Sequence, residues 1–346
     1  MLGSQRRTLC QCYVVHKKPA LQSGFTGRRA GSTQKEYPKR LPIATALITH
    51  GSCGKISRRA AILPLVNRTG FASNQRMPDW IAAIILGMVE GITEFLPISS
   101  TGHLLIAERW FQMPPDLVKD DLFNIVIQCG TVLAVLLVFA TRVKQLLTSW
   151  RDPVTQDYLA KFSAAFLITA FGGLAMEKFH FKLPEHLAPI AWAMLIGGVL
   201  FVVIERWLVG RPSNQKITWQ IAFGVGIAQL VAAAFPGASR SGTTILVALV
   251  FGLSRIAATE FSFLLGIPTL LAAGGLKLFK ALRHGPDPSI HWGLILLGTL
   301  VAAIVAFIAV KWLLRFIQTH TFMGFGWYRI AVGTFLLVLI LVQHSS

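Results

Sequence analysis

An all-α, polytopic integral membrane protein is the fold class predicted here, with six transmembrane helices plus two re-entrant helical hairpins in an inverted repeat. Three observations predict it. Of 346 residues, 53% are hydrophobic and only 14% charged, roughly half the charge of an ordinary soluble domain. Six apolar segments, approximately 122–140, 159–176, 188–206, 258–280, 291–311 and 326–343, are long enough to cross a hydrocarbon core as helices. Two further apolar stretches, 80–96 and 217–235, each run into a Pro-centred polar break and then a second short apolar helix.

The breaks are Pro97-Ile98-Ser99-Ser100-Thr101-Gly102-His103 and Pro236-Gly237-Ala238-Ser239-Arg240-Ser241-Gly242-Thr243-Thr244. Glu90 stands seven residues before Pro97 and Gln229 seven before Pro236, and an apolar helix beginning at Phe123 or Phe261 follows each. The chain is therefore read as an internal duplication, repeat one about 79–206 and repeat two about 217–343. Interrupted apolar segments at matching positions in two halves point to a site near the bilayer midplane, because irregular backbone survives there only when buried or lining a cavity.

Charge separates a further part. The formal charge of +18 would suggest a nucleic-acid binder, but residues 1–76 hold 14 Lys/Arg and one acid, Glu36, which is +13 of the total. That segment resembles no folded nucleic-acid module and lacks the apolar run of a signal peptide. The shift in composition at Met77 points to residues 1–76 as a basic, disordered, non-native or upstream leader without chemistry, and to 77–346 as the membrane domain. Three of the four cysteines lie in the leader and Cys129 stands alone, so no disulfide framework or zinc cluster is assembled.

Basic residues after three spans (Arg142, Lys144, Arg151; Arg206, Arg211, Lys216; Lys311, Arg315) belong on the cytoplasmic side. Six crossings then put the first hairpin and both termini outside and the second hairpin inside, with Lys277, Lys280 and Arg283 against the rule.

Glu90 and Glu94 are four residues apart and share a helix face. Charges at membrane depth cost several kcal/mol, so a carboxylate pair there can hold a hard divalent cation or supply a base. His103 suits proton transfer near neutral pH. Ser99, Ser100 and Thr101 read either as helix N-caps or as hydroxyls among which one is a nucleophile, Ser100 ranking first. Arg240 lies between Ser239 and Ser241 at a helix start, with Thr244 one turn on. A helix N-terminus and a forked guanidinium together make a phosphate cradle. Gln128 and Ser262 are expected to bond between helices, Glu260 to pair with Arg255, and Arg329 to anchor at the interface. Facing hairpins would combine these groups for phosphoryl chemistry on a lipid phosphate.

The stretch Glu90-Gly91-Ile92-Thr93-Glu94-Phe95-Leu96-Pro97-Ile98-Ser99-Ser100-Thr101-Gly102-His103, with Pro236 to Thr244, strongly resembles the bacterial undecaprenyl-diphosphate phosphatases of the bacitracin-resistance type. Gly252-Leu253-Ser254-Arg255 and Glu260 to Leu265 extend the resemblance over residues 77–346. It implies hydrolysis of undecaprenyl diphosphate to undecaprenyl phosphate and inorganic phosphate at the bacterial plasma membrane, recycling the lipid carrier for cell-wall synthesis and removing the target of bacitracin. By motif position it implies Glu90, Glu94, Ser100 and His103 as catalytic. Ser99, Thr101, Ser239, Arg240, Ser241 and Thr244 would bind substrate, and Glu90 and Glu94 a divalent cation, Mg2+ or Ca2+. The expected partners are the lipid substrate and membrane lipids, with a homodimer allowed and nucleic acid excluded.

Two other readings fit part of the pattern. The Ser99 to His103 element resembles that of type 2 phosphatidic-acid phosphatases, but neither Ser239-Arg240 nor Ser254-Arg255 has the His/Asp continuation which that family needs. A lipid-phosphate transporter or flippase would also use broken helices and an arginine, and phosphate release discriminates it.

Overall fold

The computed structural model describes residues 77–111, 113, 122–179, 186–283 and 291–345. The expectation for residues 1–76 lies outside them. Eleven helices stand among the described residues: α1 Asp79–Thr93, α2 Ser100–Trp110, α3 Leu122–Val138, α4 Ala140–Thr148, α5 Pro153–Lys178, α6 Leu187–Trp207, α7 Trp219–Ala234, α8 Arg240–Val250, α9 Arg255–Arg283, α10 Trp292–Phe316 and α11 Met323–Ser345. Five of them are long and apolar enough to cross a membrane, and α3 with α4 makes a sixth if that bent pair counts as one span. The chain is a multi-pass, all-helical membrane protein. Where one span over 122–140 is expected, the helix turns by 71° and continues as α4, which carries Arg142 and Lys144 and buries no residue.

The helices pair in a pattern that exchanges one half for the other: α1 packs on α10 as α7 packs on α5, while α6 lies against α11 and α3 against α9. Close approach needs small residues. A Cβ on Gly91 would meet the Ala302 carbonyl oxygen at 2.8 Å, and one on Gly226 would meet that of Ala165 at 2.9 Å. Outward faces carry Leu137, Phe171, Leu296 and Ile308, all exposed, as a lipid-solvated surface requires. Exposed tryptophans fall near helix ends at two levels: Trp80, Trp110, Trp192 and Trp292 at one, Trp150, Trp207, Trp219, Trp312 and Trp327 at the other. Such belts mark membrane–water interfaces.

Hydrogen bonds set the direction of the two broken elements. The open end of α1–α2 lies beside the end of α11, where Arg109 donates to the Gln343 side chain at 3.1 Å. The open end of α7–α8 closes on Asn214, which pairs with Gly252 and Ser254 at the start of α9. That start meets the end of α6 and the segment before α11: Arg255 binds Glu205 through two nitrogens, at 2.5 and 3.0 Å, and Glu205 accepts the Phe322 N–H at 2.8 Å. Since α11 is about 35 Å long at 1.5 Å per residue, the two pairs enter from opposite ends of the bundle and meet in its interior.

Several expected contacts differ. Arg255 pairs with Glu205, and Glu260 instead accepts from Arg142 at 2.8 Å, because Glu205 is fully buried at the end of α6 and Arg255 reaches it with two parallel donors. Ser262 Oγ is buried without a partner and Gln128 makes no side-chain bond between helices among the described residues. Lys280, on the face where basic charge runs against the rule, is paired with Glu177 at 2.5 Å.

Candidate active site where the two breaks meet

Each break is built on the same local geometry. Ser99 (φ 77°) and Ser239 (φ 70°) are the two non-glycine residues with positive φ among those described. Each caps the helix that follows, accepting from Gly102 N at 3.4 Å and Gly242 N at 3.1 Å. A non-glycine residue there stores about 1–3 kcal/mol of backbone strain, which the cap bond and the packing of the tip offset. The second break has one more residue between its proline and its cap. Gly237 takes it up at φ 95°, pressed so close to Ile190 that a Cβ would lie 2.6 Å from its carbonyl oxygen.

With Ser99 used as the cap, Ser100 is free for another role. Its Oγ–H donates to Glu94 Oε2 at 2.6 Å, and Glu94 Oε1 accepts from Arg240 Nη2 at 3.1 Å. One carboxylate thus joins a hydroxyl of the first break to the guanidinium of the second, 146 residues away. Arg240 keeps Nε and Nη1 buried and unpartnered, under the Phe95 ring and against Gly266, where a Cβ would lie 2.0 Å from Nη1. A buried guanidinium with two idle N–H groups is a seat for an anion.

Glu90 is wholly buried one turn before Glu94, and neither of its oxygens accepts a hydrogen bond. A donor-less carboxylate beside a second one is balanced by a shared proton or a cation. The donor set fits a hard divalent ion of the Mg2+ or Ca2+ kind, which one or two carboxylates can hold with phosphate oxygens completing the shell. No group of three His, Cys, Asp or Glu stands ready as a protein-only metal cage among the described residues.

The remaining candidates divide. Half-buried His103 turns Nδ1 to the Ser99 carbonyl at 2.7 Å and Nε2 to the Tyr328 hydroxyl at 2.7 Å, with the two rings stacked. Nδ1 must carry the proton it gives to a carbonyl, so Nε2 accepts from Tyr328 when the ring is neutral. Ser241 binds the backbone oxygens of Leu96 at 3.1 Å and Glu94 at 3.4 Å, fastening one tip to the other. Ser239 Oγ lies 3.2 Å from Ser241 Oγ. Thr244 donates back to the carbonyls of Arg240 and Ser241. Thr101 is exposed.

Arg329, expected at the interface, is fully buried. Its guanidinium donates to the carbonyls of Pro97 in the first break, Gly237 and Ala238 in the second, and Ala193 and Met194 of α6, at 2.9–3.3 Å. It is paired with no carboxylate among the described residues. Its place is explained by the two tips, whose carbonyls have no helical partner at that depth and need donors. Tyr328 and Arg329 were not singled out for the site by sequence; the only available signal was an ionisable residue inside an apolar segment.

The chain matches the family model described as bacitracin resistance protein BacA over residues 83–335. It is 51% identical over 260 residues to a protein of Rhizobium etli named undecaprenyl-diphosphatase, covering 75% of this chain and 96% of that one. It is 46% identical over 263 residues to a protein of the same name from Xanthomonas oryzae pv. oryzae, covering 76% and 97%.

Proposed function

Because the chain belongs to the bacitracin resistance protein BacA family, we infer that it is a membrane phosphatase that hydrolyses undecaprenyl diphosphate to undecaprenyl phosphate and inorganic phosphate. That activity recycles the lipid carrier for cell-wall synthesis and removes the target of bacitracin. Its place is the bacterial plasma membrane, with the two broken elements dipping in from opposite faces. The observation that carries the chemistry is the buried chain from Ser100 through Glu94 to Arg240.

As it turns from Glu94, Arg240 receives the terminal phosphate on one edge of its guanidinium, Nη2 together with one of the two nitrogens now idle, Nε or Nη1. Glu94, already the acceptor of the Ser100 proton, is the base. In a covalent route Ser100 Oγ bonds to the terminal phosphorus while the bond from that phosphorus to the bridging oxygen breaks. Undecaprenyl phosphate leaves and Glu94 holds the serine proton; water then bonds to the phosphorus as the bond from it to Ser100 Oγ breaks, Glu94 returns its proton to Oγ, and inorganic phosphate departs with the protons of the water. In a direct route a water at the same place attacks in one step. Both need the same base and the same anion seat. Glu90, and Glu94 once Arg240 turns to the phosphate, would hold the divalent cation, which supplies neutralisation of phosphate-oxygen charge. His103 has both ring nitrogens turned elsewhere, which supports Glu94 as the base.

Phosphate release from a C55 prenyl diphosphate tests this reading. Arg240→Ala is expected to abolish release; substantial retained activity removes the anion seat and with it the mechanism.

A further inference from the structure

Beside the tips lies an apolar cavity of about 270 Å3, lined by Ile98, Trp312, Phe316, Gly324, Phe325 and Tyr328. We propose that it seats the part of the substrate's isoprenoid chain next to the diphosphate, an inference that rests on the phosphatase reading above.

The cavity is joined to the polar site through two of its walls. Ile98 stands between Pro97 and the capping Ser99, two residues before Ser100. Tyr328 gives its ring to the cavity and its hydroxyl to His103 Nε2 at 2.7 Å. A ligand polar at one end and apolar along its length would therefore pass from the diphosphate seat to the cavity at Tyr328. No charged residue lines the cavity, so an isoprenoid strands no buried charge there. Its walls hold one another: Phe316 packs on Trp312 at 5.1 Å and on Phe325 at 5.6 Å between ring centroids. Trp312 and Tyr328 are half-exposed on the outer surface, so a chain can enter sideways from the bilayer without leaving it.

Gly324 makes the test direct. It is the second residue of α11, and a Cβ built on it meets nothing within 4 Å. A larger side chain there fills the cavity without displacing a neighbour, and leucine is the better helix former. Gly293, at the start of α10, has equally open space around its Cβ but lines no part of the cavity, and serves as control.

The purified full chain is assayed in detergent for phosphate release from C15 and C55 prenyl diphosphates, using wild type, Gly324→Ala, Gly324→Leu and Gly293→Leu. KM is expected to rise in the order wild type, Ala, Leu, reaching about tenfold for Leu, with kcat within twofold and Gly293→Leu matching wild type. The graded Ala variant keeps the test decisive should the Leu variant fold poorly. Unchanged KM in both Gly324 variants overturns the proposal and leaves the cavity to ordinary lipid. A fall in kcat at unchanged KM also overturns it, placing the effect on the His103–Tyr328 pair. Absence of release from wild type with either substrate overturns the phosphatase reading itself and takes this inference with it.

Discussion

Replacing Arg329 by Met keeps most of the side-chain volume and removes the buried guanidinium that bridges the carbonyls of the two tips, leaving Ser241 and Arg240 as the donors that join them. Five carbonyl oxygens, of Pro97, Ala193, Met194, Gly237 and Ala238, lose a bond of 2.9–3.3 Å. An acceptor stranded away from water costs about 1–3 kcal/mol. The Ala193 and Met194 carbonyls lie in the interior of α6 and keep their helical donors, so the three tip carbonyls carry most of the loss. With partial relaxation of the tips, about 4 kcal/mol is expected, which is close to a thousandfold in the folding equilibrium. The alignment of Ser100 and Glu94 with Arg240 is lost as well, and displacement of about 1 Å costs on the order of 100-fold in rate. The assay is phosphate release per folded molecule, with the folded fraction taken from thermal unfolding in detergent. Arg329→Lys, with one compact ammonium in place of the fork, should fall between wild type and Met. Activity per folded molecule within threefold of wild type in Arg329→Met would refute the reasoning, because the tips would then be aligned without their clamp.

Gly266→Ala puts a methyl group 2.0 Å from the present place of Arg240 Nη1 and so displaces the guanidinium, and should raise KM for the prenyl diphosphate about tenfold with a fall in melting temperature, overpacking of this kind costing about 1–3 kcal/mol; steady-state kinetics and a melt check it. At the far end of the bundle, Arg255→Ala strands the fully buried Glu205 and should destabilise by about 3–5 kcal/mol, whereas Glu205→Ala leaves a one-third exposed arginine and should cost less. Denaturation of the two variants side by side gives the order, and equal losses would contradict it. Chelation of divalent cations should remove phosphate release from wild type, and Glu90→Gln should raise the Mg2+ concentration needed for half-maximal activity. A metal titration of activity reads both, and an unchanged midpoint would place the cation away from Glu90.

The scaffold was legible because bilayer-solvated helices need long uncharged runs, and 188–206 and 291–311 meet that need on sight. The bend after Val138 was less so, since hydropathy continues smoothly up to Ala140 while the backbone turns before Arg142. Of the site, the Glu90/Glu94 pair and Arg240 stood out as charges in apolar surroundings. Which hydroxyl caps and which faces the carboxylate did not, because Ser99 and Ser100 are chemically identical and only the positive φ of Ser99 separates them. Long-range partners were the other gap: Tyr328 lies 225 residues from His103, Arg329 lies 232 from Pro97, and no local pattern links them. Arg255 shows the converse error, since its sequence neighbour Glu260 was the obvious partner and Glu205, 50 residues back, is the actual one.

The most direct measurement is release of inorganic phosphate from a C55 prenyl diphosphate in detergent with Mg2+, comparing wild type with Glu94→Gln. Glutamine preserves the shape but supplies no base for Ser100 or for water, so the expected result is steady release from wild type and a loss of about 10²–10⁴-fold in the variant, with both melting as folded proteins. Release by the variant within a few-fold of wild type, or none from well-folded wild type, would contradict a single phosphatase site built where the two breaks meet.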